Sequence, residues 1–215
     1  ADARVYYKFG DGDWEWGEMD YIGDIDYEFE IDGASEGTFV MYYVSAEDDE
    51  GNITTYPEDL EQQYLGYIAK NDLDIYDIQY TPWPNGVSAY DGYVIPSVTG
   101  VITSNLTNAQ TYDDPEGTFP YFMQVGDSAP YSGIIVVLNS AVNEGDEITV
   151  LGGTVNESGV DSEGNGWTFK WGGSTRLINP VSITVNSNDN DYTVYETTVD
   201  EVNANLEAWE SVMAE

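Results

Sequence analysis

The chain reads as a succession of short strands separated by turns, and this punctuation restricts its fold more than any single residue does. "RVYYKF", "DYEFEI", "TFVMYYVSA", "QYLGYIA", "VTGVIT", "YFMQV", "SGIIVVL", "DEITVLGGTV", "WTFKW" and "PVSITV" are rich in β-branched and aromatic residues, and Gly, Asn, Asp or Pro bounds them. Between them "GDGD" (Gly10 to Asp13), "DGAS" (Asp32 to Ser35), "DDEGN" (Asp48 to Asn52), "NEGD" (Asn143 to Asp146) and "DSEGNG" (Asp161 to Gly166) supply residues that tolerate positive φ. Strands at this spacing, with no helices between them, predict an all-β sandwich or barrel. Pro82 and Pro84 in "AKNDLDIYDIQYTPWPNG" break continuous pairing, so a boundary is expected there, with one module over residues 1–71 and a second over 72–190.

Only the C-terminus carries a convincing helix signature. Thr198 and Glu201 form a capping box, and Val199, Val202, Leu206, Trp209 and Val212 recur at three- and four-residue steps. Residues 191–215 are therefore expected to be a linker and an amphipathic helical tail whose apolar face must be buried on something.

Charge narrows the setting. Five Lys and Arg stand against 41 Asp and Glu, a formal charge of -36. Such a surface repels polyanions and itself, so it suits a saline or calcium-containing extracellular medium. With no cysteine and no histidine, the chain has no disulfides, no thiol nucleophile, no thiolate metal site and no imidazole base. No run of 18 apolar residues exists, so no membrane insertion is expected. The opening "ADA" fits the remainder of a cleaved secretory signal, and on a secreted chain Asn52, Asn105 and Asn156 are glycosylation candidates in N-x-S/T sequons.

"FGDGDWEWGEMD", Phe9 to Asp20, is the densest acidic and aromatic stretch. Asp11, Asp13 and Glu15 alternate as an EF-hand begins, but Trp16 stands where that loop needs Gly and Ile22 where it needs a bidentate Glu. A looser calcium site from Asp11 and Asp13, or from Asp48, Asp49 and Glu50, has the hard oxygen donors that Ca2+ takes; the plain alternative is an acidic hairpin turn in water. Trp14 and Trp16 share one face if the segment is extended, as do Trp167, Phe169 and Trp171 in "WTFKWGG". Facing outward they are platforms for sugar rings or a protein partner, and facing inward they are core. Trp209 joins them as a candidate partner contact. With 41 acids, carboxylate pairs are too numerous to single out a catalytic one.

"VYYKFGDGDWEWGEMDYIGDIDYEFEIDGASEGTFVMYYVSAEDDEGNITTYPED", Val5 to Asp59, resembles the second half of the immunoglobulin- or fibronectin-like modules of secreted bacterial multidomain proteins. Some starch-binding modules share its opening rhythm. "DIQYTPWPNGVSAYDGYVIPSVTGVIT", "YFMQVGDSAPYSGIIVVLN", "VNEGDEITVLGGTVNE" and "TRLINPVSITV" together resemble the OB-fold domains that accompany secreted bacterial nucleases and other large surface proteins. Pro96 departs from that pattern and predicts a bulge or an edge in the first barrel strand. The resemblances imply an Ig-like β-sandwich lacking its leading strands, then an OB-like β-barrel and a short C-terminal helix, neither module being catalytic in its own right. OB-folds often stack single-stranded nucleic acid on aromatics in a basic groove, but here only Lys170 and Arg176 oppose the acids of that segment, so nucleic acid is not an expected partner.

These readings converge on a non-enzymatic secreted structural protein of the cell surface or extracellular matrix, its subunits joined into filaments by strand or tail exchange. Its expected partners are then copies of itself. The alternative is a carbohydrate-binding accessory module of a larger secreted hydrolase or nuclease, with polysaccharide as partner.

Overall fold

The computed structural model describes residues 2–105, 118–126, 130–158 and 174–215. Trp167 and Trp171, with the strand expected over "WTFKW", lie outside the described residues. The chain forms two compact units, Ala1–Asn71 with Pro82–Asn85, and Asp72–Thr81 with Gly86–Glu215.

In the first unit β1 (Asp2–Phe9), β2 (Glu15–Glu18), β5 (Phe39–Glu47) and β6 (Ile53–Tyr56) make an antiparallel sheet in the order β2-β1-β5-β6, and β7 (Leu65–Ile68) also pairs with β5. A separate hairpin is formed by β3 (Asp20–Gly23) and β4 (Asp26–Glu28). The long strands β1 and β5 align Val5 with Val44 and Tyr6 with Tyr43, and the two-residue period sends these pairs to opposite faces. Phe29 crosses one face beside Tyr7, at 5.9 Å between ring centroids, and its ring occupies the space where a side chain at Gly17 would stand. The buried apolar residues here are few: Val5, Val40, Ile68 and Trp83. The strands "EWGE", "DYIG" and "ITTY" were not evident from sequence, because four residues carry too little pattern. For β2 and β6, the pairing with β1 and β5 decides them.

The second unit is a closed five-stranded β-barrel. β8 (Val94–Asn105), β9 (Phe119–Gln124), β10 (Gly133–Leu138), β11 (Glu147–Ser158) and β12 (Ser174–Ile178) run β12-β10-β9-β8-β11, and β11 closes back on β12. β13 (Ser182–Ser187) pairs with the first half of β11. Inward residues such as Ile102, Met123, Ile134, Val136, Ile148 and Leu177 form one core. A short helix absent from the sequence reading, α1 (Ile75–Gln79), adds Ile75 and Ile78 to it. Its only advance signal is the capping box of Asp74 and Asp77, since five residues show no helical period. β8 runs unbroken through Pro96. There it pairs with β11 alone, β9 joining only from Val101, and such an edge tolerates a residue without an N–H.

The tail belongs to this second unit. α2 (Val199–Ala204) has the Thr198–Glu201 capping box but buries no residue, and Val199 is 76% exposed. The expected apolar stripe does not form, because the helix stops at Asn205 and Leu206, Trp209 and Val212 lie beyond it, Trp209 in a 3-10 turn over Glu207–Trp209. The tail is instead seated mainly through its backbone. Tyr131 N donates to Ala208 O at 2.6 Å, Met213 N to Gln124 Oε1 at 3.0 Å, and Gln124 Nε2 to Thr193 O at 2.9 Å, so one buried glutamine holds both limbs of the tail. Ser211 lies so close to Gly133 that any Cβ at that position would collide with its carbonyl. The tail thus has a seat within its own unit.

Candidate functional site

Two places concentrate chemistry, one in each unit. In the first unit the sheet face opposite Val5 gathers rings. Tyr6 and Tyr43 stack at 4.7 Å with planes 2° apart, Trp14 meets Tyr43 at 5.4 Å and Tyr64 at 5.2 Å, and Trp16 stands across from Tyr6 on the neighbouring strand. Trp14 is 39% exposed and Trp16 58%. Both tryptophans share this face with the unit's two strand-borne cations. Arg4 lies 5.6 Å from the Trp16 ring centroid and Lys8 5.6 Å from that of Trp14. Cations over indole faces gain from the ring quadrupole. Neither makes an ion pair among the described residues, and Arg4 Nε is buried without a hydrogen-bond partner. In a chain with 41 acids, two of five cations are thus held on aromatic rings instead of on carboxylates. Glu18, across from Arg4, and the facing pair Asp2 and Glu47 are the strand-borne acids of this face. Burial pushes the Tyr43 hydroxyl above its ordinary range, with the Tyr6 and Tyr64 phenols adding to it.

The second place is a cluster of carboxylates at one end of the barrel. Glu157 on β11 stands across from Thr175 on β12, two residues beyond the core pair Val155 and Leu177, so it continues the inward face. Its Oε1 accepts from Ser88 N at 3.0 Å and Thr175 Oγ1 at 2.8 Å, and Ser88 Oγ in turn donates to Ile78 O at 2.6 Å. From the tail, Glu207 lies over Gly86, where a Cβ would come within 2.6 Å of its Oε2, and Glu210 is buried beside Glu207 and the Thr175 backbone. Arg176 neighbours Thr175 on β12, but strand alternation turns it away from Thr175 and Glu157. Burial therefore pushes the Glu157 and Glu207 carboxyls up to about 7, with Asp91 adding repulsion at Glu157 and Glu157 at Glu207. It raises Glu210 well above the usual carboxylate range, with repulsion from Glu207 and Glu157 behind it. The cluster holds its protons to a higher pH than ordinary carboxylates do.

The residues singled out from sequence fall in separate places. Asp11 and Asp13 are exposed in the turn between β1 and β2. Asp48 spends its carboxylate on its own turn, accepting from Glu50 N and Asn52 N at 2.9 Å each and from Asn52 Nδ2 at 2.7 Å, which holds it below the usual carboxylate range. Asp49 is exposed in the same turn. Among the described residues no three His, Cys, Asp or Glu stand close enough together to hold a metal ion. Asn52 is exposed, Asn105 ends β8 with the rest of its sequon outside the described residues, and Asn156 is half-buried in the β11–β12 ladder across from Arg176. Trp209 is half-buried in the tail.

No protein-family model matches the chain, and no curated protein or solved structure matches it. Its chemistry therefore has to be argued from these two places. A cavity of about 250 Å³ lies apart from both, lined by Thr118, Val137, Asn139, Asn179 and Pro180, and brings no ionisable group. Sequence reading named Trp14 and Trp16 but missed their pairing with Lys8 and Arg4, a matter of register. It also missed Glu157, Glu207 and Glu210, which no spacing distinguishes from the other acids. No described helix is long and apolar enough to cross a membrane.

Proposed function

We propose that this chain is a non-enzymatic structural protein of a saline extracellular surface that assembles with copies of itself through its first unit. On this reading the first unit is an Ig-like sheet lacking a covering second layer, and the barrel is an OB-like module. The observation that carries it is the balance of apolar residues in the first unit. Few are buried, while Trp16, Tyr21, Ile22, Ile25, Ile53 and Tyr56 are more than half exposed. A sheet so thinly covered needs a neighbour to bury its second face. The barrel, by contrast, has a closed ladder and a full core. Exchange through the tail is less favoured than exchange through the first unit, since the tail is already held by Gln124 and Tyr131.

The test is sedimentation velocity and negative-stain microscopy of the purified chain in molar salt across a wide concentration range. Concentration-dependent species larger than the 23.8 kDa monomer, up to filaments, are expected. A chain that stays monomeric throughout contradicts the proposal. The Trp14, Tyr43 and Tyr64 cluster favours a second reading, binding to polysaccharide through stacked rings. Affinity electrophoresis on a glycan panel separates the two readings, because only the second predicts retardation that Trp14→Ala abolishes.

A further inference from the structure

We infer that the aromatic face bearing Arg4 and Lys8 receives the β3–β4 hairpin of a second copy of this chain. The inference rests on the assembly reading above and names the two surfaces that meet. The hairpin is the first unit's most exposed apolar element: Ile25 at its turn is 87% exposed, Tyr21 61% and Ile22 57%. It pairs with no other strand, and a lone two-stranded hairpin is marginal in water, so its order has to be supported from outside its own ladder. Its internal supports are slight, a tilted Tyr21–Tyr27 ring contact at 5.4 Å and a hydrogen bond from the Tyr21 hydroxyl to Asp24 O at 3.2 Å.

Charge selects the occupant. Between Lys8 and Lys70 the sequence has no cation, and the hairpin carries Asp20, Asp24, Asp26 and Glu28, all exposed. The receiving face offers Arg4 and Lys8, neither of them ion-paired among the described residues, beside Trp14, Trp16, Tyr6 and Tyr43. An element that is apolar at its tip and anionic along its flanks complements a surface on which two cations lie over aromatic rings. With 41 acids against five cations, most other docking sites would set acid against acid, which a charge of -36 penalises. Hairpin and face are different patches of the same unit, so a contact repeated head-to-tail from one copy to the next gives chains of subunits wherever its rotation does not close.

The test uses the full chain with two sets of variants. Asp24→Lys with Asp26→Lys reverses the hairpin without touching the sheet, and Arg4→Glu with Lys8→Glu reverses the face. Each set alone should weaken self-association by at least about tenfold, as losing a central contact does. Mixed one to one, the unaltered hairpin of one set meets the unaltered face of the other and the Lys-bearing hairpin meets the Glu-bearing face, so mixing should restore association that neither set shows alone. The hairpin set is exposed on all sides, so it remains informative if the face set fails to fold. Wild-type association that the hairpin set leaves unchanged overturns the inference while leaving self-assembly standing. A monomeric wild type that is retarded by an acidic polysaccharide, through Trp14 and Trp16, assigns the face to a glycan and overturns both.

Discussion

Replacing Glu157 with Gln tests a buried carboxylate whose hydrogen-bond donors are defined. Its Oε1 keeps the same two donors, Ser88 N and Thr175 Oγ1, in the variant. In the folded protein burial pushes this carboxyl from 4.5 to about 7, so the fold retains a proton that the unfolded chain releases. The native state then binds more protons than the unfolded state, and stability falls as pH rises from about 4.5 through about 7, with no further loss above that. The full effect is about 3 kcal/mol at pH 8. Glutamine carries no charge at any pH, so the variant escapes this loss, and its advantage over wild type should widen by about 2 kcal/mol between about pH 5.5 and pH 8. Where the new amide is left unbonded the advantage drops by about 1–3 kcal/mol at every pH, which shifts the curve without flattening it. The assay is urea unfolding of both proteins across that range, followed by hydrogen exchange at barrel amides such as Leu177. Measuring in molar salt screens the general repulsion of an acidic chain and leaves the buried term. Parallel stability curves for the two proteins would refute the reasoning, because they would mean Glu157 is already ionised in the fold.

Four further outcomes follow from the same structure. Gly133→Val should expel the Ser211 limb of the tail at a cost of about 1–3 kcal/mol, read as a red shift of tryptophan emission and new protease cleavage after residue 205. Trp83→Ala should cost about 3–5 kcal/mol in a unit with so few buried apolar residues, and near-UV circular dichroism should show the first unit losing fixed packing. Asp48→Ala should loosen the turn before β6, and since that carboxylate is held below its ordinary range, the contribution lost is one that wild type itself loses as pH falls through the carboxylate range. Moving from about 0.01 M to 1 M NaCl shortens the screening length from about 30 Å to 3 Å and should raise the unfolding temperature of the whole chain.

The strand-rich class of this protein was written locally. β-branched and aromatic runs such as "TFVMYYVSA" and "SGIIVVL", stopped by Gly and Asp turns, became β5 and β10 because alternation and turn chemistry act over a few residues. The capping box at Thr198 was equally local and formed as read. The length of that helix was not, since Asn205 ends it and the tail's seat on Gln124 and Gly133 takes over. What only the tertiary structure decided is which charges meet which partners. Arg4 and Lys8 reach tryptophans because of the β1–β2 register, and Glu157, Glu207 and Glu210 keep protons because chain segments 50 residues apart bury them together. Hydrophobic period is a property of neighbours in sequence, whereas desolvation and Coulomb coupling depend on neighbours in space, and an acidic chain gives no sign of which of its 41 carboxylates will lose their water.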